Sequence, residues 1–170
     1  MRNAGFLPGA LTFIFDALKG FAAVYIGKLI FDYIHTSAAS AWSQPIYGAY
    51  VCGLACMLGH IFPIFFQFKG GKGVATSVGI FSLCSPIAIV LGLCVFAVST
   101  IVSRIVSFSS LLATVTVVIL SIVFHDESAL LWPQAMFSII MGIMVFVKHK
   151  DNIKRLIEGN ENKIGGKKNG

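Results

Sequence analysis

Three glycines surround a lysine just before a predicted helix: Gly70, Gly71 and Gly73 flank Lys72, and the helix begins at about Val74. Glycine adopts turns that other residues avoid, so successive N–H groups can converge on an anion while the lysine adds a positive charge. The following helix directs the positive end of its dipole at the same place. The pattern favours a phosphate-binding loop. The simpler alternative is a membrane-surface turn whose lysine extends to the lipid headgroups.

A second group of polar residues lies near the C-terminus, where His149 and Asn152 share one face of a predicted helix with Leu156. Histidine can act as an acid, a base or a hydrogen-bonding group near neutral pH. The alternative is a basic segment that binds anionic lipid headgroups. Such an anchor would not need the histidine and the asparagine, so we expect these two side chains to take part in chemistry.

Two further sets of polar residues lie in or beside apolar segments. Asp16 and Lys19 are three residues apart and face the same way in a helix. Each would cost about 2.5–3.5 kcal/mol at mid-bilayer, so we expect a compensated pair that faces the protein. Ser107 and Ser109 belong to a serine-rich turn at the start of another helix. Their hydroxyls could contact a ligand, or they could only cap and pack the helix.

The amino-acid composition indicates the class of protein, soluble, disordered or membrane-embedded, that must position these residues. Of the 170 residues, 56% are hydrophobic and only 12% are charged. Soluble domains are about 45–50% apolar and about 25% charged, whereas disordered chains combine low hydrophobicity with high charge. Both classes are excluded. The sequence therefore predicts an all-α integral membrane protein, a polytopic helical bundle.

The apolar runs predict about six membrane spans, at residues 10–34, 47–66, 74–84, 87–102, 105–124 and 130–147. The third run is short for crossing the roughly 30 Å hydrocarbon layer. Six crossings place both termini on the same side as the Lys72 loop and Arg104, and this basic side is cytoplasmic by the positive-inside rule. We expect residues 1–147 to form the bundle, residues 148–164 a cytoplasmic motif and residues 165–170 a disordered tail.

Three groups of residues together resemble a known family. They are the segment from Gly59-His60 to Thr76, the set His149, Asn152, Arg155, Gly159 and Glu161, and the run Asp16-Ala17-Leu18-Lys19-Gly20. In them, and over nearly its whole length, the chain resembles the bacterial acyl-phosphate:glycerol-3-phosphate acyltransferases of the PlsY type. The resemblance implies a seven-span enzyme of the bacterial inner membrane whose active site faces the cytoplasm.

The resemblance also implies a reaction. The enzyme would transfer a fatty acyl group from acyl phosphate to the 1-hydroxyl of glycerol 3-phosphate, giving lysophosphatidic acid without coenzyme A. Its partners would be these two substrates and membrane lipid, with no nucleic acid, cofactor or metal. The family's first span and an early Ser-Gly-Asn and Gly-Ala-Thr-Asn motif should precede Arg2, which looks like the end of that motif. We therefore expect that this chain lacks them, through an internal start or a natural truncation.

An acyl phosphate is already activated, so the protein needs no covalent nucleophile. It must hold two phosphates and bring a hydroxyl to a carbonyl. We assign Lys72 and the amides of Gly70, Gly71 and Gly73 to the phosphate of the acyl donor.

The remaining candidates serve the acceptor. Arg2, Lys19 and Ser107 are predicted to bind glycerol phosphate, and Ser109 and Glu161 are further substrate-binding candidates. His149 and Asn152 would position the attacking hydroxyl or the phosphate. The group that deprotonates the hydroxyl is left open between a substrate phosphate, as the family implies, and His149.

The sequence leaves two other functions as alternatives. The first is a small transporter or channel for a phosphorylated or lipid solute, with Asp16 and Lys19 as its intramembrane site. The second is a non-catalytic membrane partner, an inactive truncated homologue.

Overall fold

The apolar runs fold into helices, and the computed structural model describes residues 6–37, 44–68, 70–125 and 131–165. Within these ranges every regular element is helical. The α-helices are α1 (Phe6–Ser37), α2 (Pro45–Ile61), α3 (Val74–Cys84), α4 (Pro86–Ser103), α5 (Val106–Val123), α6 (Leu131–Lys148) and α7 (Lys150–Ile157), and a 3₁₀ turn lies at Ile64–Phe66. The prediction of an all-α bundle is confirmed.

Among the described residues, five helical segments are long and apolar enough to cross a membrane: α1, α2 with the 3₁₀ turn that follows it, α4, α5 and α6. Their bounds agree with the predicted apolar runs to within a few residues, and α1 extends furthest beyond its run. Large apolar side chains lie on the outer faces of the helices. Ile101 and Val102 of α4, for example, are 77% and 79% exposed, which suits a lipid surrounding and not water.

The short helix α3 has the predicted bounds, Val74–Cys84, and at 1.5 Å per residue it is about 17 Å long. Lys28 Nζ of α1 donates a hydrogen bond to Leu83 O near the end of α3, at 3.2 Å. Gly27, the residue before Lys28, contacts Gly48 near the start of α2. The end of α3 therefore lies close to the level at which α2 begins. That α3 with its flanking residues completes a crossing stays a prediction.

Small residues bring α1 and α2 together. A Cβ atom at Gly27 or at Gly48 would overlap the backbone of the other glycine. Close approach of this kind is typical of helix packing in membranes, where dispersion contacts replace the hydrophobic effect between helices.

Buried polar side chains join α2, α5 and α6. Tyr50 OH donates to Gln134 Oε1 at 2.9 Å, and Gln134 Nε2 donates to Ser121 O at 2.6 Å. Ser121 Oγ in turn donates to Ser138 Oγ at 2.8 Å. Polar groups in an apolar core are stable only when they are paired in this way, so this network fixes the relative positions of the three helices.

One end of the bundle gathers three connections that are far apart in the sequence. The α2–α3 loop contains Lys72, the α4–α5 turn contains Arg104, and the C-terminal segment follows α7. Ile164 N donates to Arg104 O at 2.7 Å, which joins the last two of these connections. The predicted grouping of these basic segments at one end is therefore seen in the structure.

Candidate active site

The glycine-rich loop joins α2 to α3 through a sharply folded backbone. Gln67 and Phe68 both have left-handed φ angles, 53° and 60°, and Gly73 has φ of 81° directly before α3. A left-handed residue costs roughly 1–2 kcal/mol unless it is glycine, which explains the glycine at position 73. The loop therefore leads into the N-terminus of α3, as predicted. Lys69 lies outside the described residues.

Lys72 projects from this loop toward the C-terminal segment. Desolvation lowers the pKa of Lys72, the nearby Glu161 carboxylate raises it, and the positive charge of Arg155 lowers it again. Within the described ranges its ammonium group makes no hydrogen bond or ion pair. The lysine is thus placed to bind an anion that enters the loop.

His149 lies at the junction of α6 and α7 and is only 2% exposed. Its Nδ1 lies 2.8 Å from Val145 O. Because a carbonyl oxygen can only accept, Nδ1 carries the proton and the neutral ring keeps Nε2 as an acceptor. Burial lowers the pKa of His149, the Val145 carbonyl opposes this, and the charge of Lys72 lowers the pKa further. The net effect favours the neutral ring, which can accept a proton.

Glu161 connects three of the site residues. Its Oε1 accepts hydrogen bonds from Ser107 Oγ at 3.0 Å and from Asn152 Nδ2 at 2.8 Å, and its Oε2 accepts one from Arg155 Nε at 2.7 Å. Burial raises the pKa of Glu161, but the hydrogen bonds from Arg155, Asn152 and Ser107 outweigh it and hold the pKa below its ordinary value. The carboxylate therefore stays ionised and joins the start of α5 to α7.

Asp16 and Lys19 form an ion pair on α1, as their spacing predicts. Lys19 Nζ also lies 2.6 Å from Nδ1 of His60 on α2. The His60 ring packs against Gly71, so this cluster adjoins the glycine-rich loop. The structure therefore places Lys19 beside the loop, and its predicted contact with glycerol phosphate stays a prediction.

For two other predicted site residues, Ser109 and Arg2, the part of the chain that the structure describes shows no contact that bears on substrate binding. Ser109 is fully buried and its hydroxyl donates to Ile105 O at 3.1 Å within α5, so its role toward substrate stays a prediction. Arg2 lies outside the described residues. In the ranges that the structure describes, no three His, Cys, Asp or Glu side chains could jointly hold a metal ion.

Sequence reasoning gave no role to Arg155 or His60, although both contact site residues. A signal for Arg155 is present in the sequence: Gly159 follows α7 with φ of 71°, and Asn160 N donates to Arg155 O at 2.8 Å. A glycine directly after a helix commonly reverses the chain, and this reversal returns Glu161 to Arg155. His60 belongs to the segment that resembles the family, but no local pattern indicates its contacts, because its partners lie on α1 and in the loop.

The fold and this cluster define a polytopic helical membrane protein with a cationic, glycine-lined site at one end of its bundle. Comparison with known proteins then gives the family. A profile of the family described as Glycerol-3-phosphate acyltransferase matches residues 1–159. The chain belongs to this family.

Individual relatives and solved structures support the same family assignment. The glycerol-3-phosphate acyltransferase of Francisella tularensis subsp. novicida is 41% identical over 171 residues, which cover 98% of this chain and 74% of the relative. Two crystal structures of PlsY (YgiH), an integral membrane glycerol 3-phosphate acyltransferase, share the fold at 31% identity. The glycerol 3-phosphate form has a TM-score of 0.75 and covers 96% of this chain and 74% of that one. The lysophosphatidic acid form has a TM-score of 0.74, and the match covers 95% of this chain and 75% of the PlsY chain.

Proposed function

We propose that the protein transfers a fatty acyl group from acyl phosphate to the 1-hydroxyl of glycerol 3-phosphate. An ester bond forms, the bond between the acyl carbon and the phosphate oxygen breaks, and the hydroxyl proton passes either to a substrate phosphate or to His149. The products are lysophosphatidic acid and inorganic phosphate. The main support is that Lys72 and its glycine loop lie close to the cluster of His149, Asn152 and Glu161. The chain also belongs to the glycerol-3-phosphate acyltransferase family.

The donor's phosphate would lie in the glycine-rich loop. The amides of Gly70, Gly71 and Gly73 and the ammonium of Lys72 provide donors for its oxygens. Donors aimed at a developing charge each lower the barrier by about 2.7–4 kcal/mol. Because the leaving phosphate gains charge as the acyl bond breaks, these groups bind it more strongly in the transition state than in the ground state.

The donor's acyl chain would enter an apolar cleft that begins beside the loop. The cleft is lined by Val74 at the start of α3, Ile89 and Gly92 of α4, Val117 of α5 and Val145 of α6. An apolar cleft next to a phosphate site suits an amphiphilic donor, because the phosphate then contacts polar groups while the acyl chain contacts apolar side chains.

The acceptor would bind on the other side of Lys72. We propose that Ser107 and Asn152, together with Arg2, hold glycerol 3-phosphate, whereas direct contact of Lys19 with this substrate stays a prediction. Glu161 orients the serine and the asparagine. Because a carboxylate can only accept hydrogen bonds, we propose that any direct contact of Glu161 is to a glycerol hydroxyl and not to the phosphate. Holding both reactants in attack geometry can lower the barrier by about 7–11 kcal/mol.

Two groups can remove the hydroxyl proton, and both remain in the proposal. The first is a phosphate oxygen of a substrate. The second is Nε2 of His149, which is an acceptor in the neutral tautomer that the Val145 carbonyl selects. Ser109 would support the start of α5 and so the position of Ser107.

We propose that this end of the bundle faces the cytoplasm of a bacterial inner membrane. The positive-inside rule supports this orientation, because the loop with Lys72, the turn with Arg104 and the segment from Lys148 onward lie at the same end. Residues 1–147 would form the membrane bundle and residues 148–164 its cytoplasmic motif.

An acylation assay tests the proposal. Protein purified in detergent is given glycerol 3-phosphate with either palmitoyl phosphate or palmitoyl-CoA, and the product is identified by mass spectrometry. We expect lysophosphatidic acid from palmitoyl phosphate alone. Lys72→Met should abolish it, whereas the matched control Lys154→Met, which removes a lysine that is 77% exposed on α7, should not. Solute flux into liposomes without acyl transfer would support the transporter alternative and overturn the proposal.

A further inference from the structure

We infer that His60 is a positioning residue for the glycine-rich loop and that Lys19 and Asp16 act through it. The inference rests on the proposed function, in which this loop binds the phosphate of the acyl donor. It gives the intramembrane ion pair of α1 a role toward the loop and not toward a transported solute.

The first observation is the contact between His60 and the loop. A Cβ atom at Gly71 would lie 2.6 Å from Cε1 of the His60 ring and closer still to Nε2. A Cβ atom at Gly70 would lie 2.6 Å from the carbonyl oxygen of Ile61 and would also overlap that of His60. Two consecutive glycines therefore rest on the ring and on the main chain at the end of α2.

The second observation is that the ring is itself held in place. Lys19 Nζ lies 2.6 Å from His60 Nδ1, Asp16 Oδ1 lies 3.5 Å from the same nitrogen, and the two charged groups are paired. An ammonium group can only donate, so Nδ1 accepts and a neutral ring carries its proton on Nε2. Nε2 is the ring atom that faces Gly71. The His60 side chain is 11% exposed, and in such a site charge–dipole contacts are stronger than in water.

The third observation is a contact from a different helix. Lys148 at the end of α6 lies 3.4 Å from Ile61 O and 5.4 Å from the centre of the Phe62 ring. The base of the loop is therefore held from α1 through His60 and from α6 through Lys148. A binding site is effective when its donors are fixed before the ligand arrives, because reorganisation then costs little.

A positioning role predicts a specific kinetic pattern. If His60 and Lys19 hold the loop, loss of either weakens binding of the acyl donor and leaves the glycerol phosphate site largely intact. The effects of the two substitutions should also not add, because each breaks the same chain of contacts. If Lys19 instead binds glycerol phosphate directly, its loss weakens binding of that substrate alone.

The test compares His60→Ala, His60→Asn, Lys19→Met and the double variant Lys19→Met/His60→Asn with the wild-type protein. His125→Ala is the matched control, since His125 follows the far end of α5. We expect the KM for palmitoyl phosphate to rise about tenfold in the first and third variants, equivalent to about 1.4 kcal/mol. The KM for glycerol 3-phosphate should change by less than about twofold.

His60→Asn separates the two contacts of the ring. Its amide oxygen can still accept from Lys19, but the side chain is too short to reach Gly71, so we expect a rise in KM smaller than that of His60→Ala. The double variant should resemble the more impaired of its two parent variants.

Hydrogen exchange of the peptide covering residues 70–76 gives a readout that does not depend on turnover. We expect faster exchange in His60→Asn and Lys19→Met than in the wild-type and His125→Ala proteins. Unchanged exchange, or a KM rise confined to glycerol 3-phosphate in Lys19→Met, would overturn the inference. A wild-type protein without acyl transfer would instead overturn the proposed function, and the exchange data would still decide the positioning role.

Discussion

Glu161→Gln replaces one carboxylate oxygen by an amide group at the centre of the C-terminal cluster. One oxygen remains to accept from Ser107 and Asn152, but the new NH₂ group faces the Arg155 guanidinium, which is also a donor. A hydrogen bond between charged groups contributes about 1.5–3 kcal/mol. The Arg155 side chain is 39% exposed, and solvent weakens the interaction. We therefore expect the Glu161→Gln substitution to cost about 1.5 kcal/mol, the lower end of this range.

Glu161→Ala removes all three contacts. Ser107 and Asn152 are then left buried without this partner, at 7% and 6% exposure, and each adds about 1 kcal/mol to the loss. If the whole loss of about 3.5 kcal/mol is a loss of transition-state stabilisation, kcat/KM falls about 400-fold. The corresponding fall for the glutamine variant is about tenfold.

The assay is the rate of lysophosphatidic acid formation at varied concentrations of both substrates. The control is Glu158→Gln, because Glu158 pairs only loosely with Lys154, at 4.0 Å on an exposed face, and such pairs contribute about 0–1 kcal/mol. A Glu161→Gln protein with wild-type kcat/KM, or a Glu158→Gln protein equally impaired, would refute the reasoning that Glu161 orients the site.

Three further predictions concern packing, backbone and pH. Gly48→Val should prevent folding because its side chain would enter the backbone of Gly27; the variant should aggregate in gel filtration, and a monodisperse protein with the wild-type melting temperature would contradict this. Gly73→Ala adds about 1–2 kcal/mol of backbone strain at φ 81°, so we expect a higher KM for acyl phosphate with little change for glycerol 3-phosphate. Burial lowers the pKa of His149, so the folded protein binds fewer protons there than the unfolded chain. Stability and activity should therefore hold down to about pH 6.5 and fall only below it, and an acid limb of the pH–rate profile centred above that value would contradict the assignment.

The helices could be predicted because their signals are local. Gly73 and the Ser85-Pro86 step bound α3, and both act through the backbone of their immediate neighbours. The start of α1 was predicted less well, because its first residues are apolar but lie outside the densest part of the run.

The site could be predicted in its residue types but not in its contacts. Lys72, His149 and Asn152 were singled out by charge and spacing, and the structure brings them to one end of the bundle. The bond from Ser107 to Glu161 joins residues 54 positions apart, and its formation depends on how α5 packs beside α7. The contact of Lys19 with His60 likewise depends on the approach of α1 to α2, which no pattern within either helix specifies.

The central claim is that Lys72 and its glycine loop bind the phosphate of the acyl donor. The direct test is the dissociation constant of a non-reactive acyl phosphonate, measured by titration calorimetry for the wild-type, Lys72→Met and Lys154→Met proteins. Loss of a charged hydrogen bond of about 1.5–3 kcal/mol weakens binding by roughly 10- to 150-fold. We predict that loss for Lys72→Met and wild-type affinity for Lys154→Met, whereas equal affinity of Lys72→Met and the wild-type protein would contradict the claim.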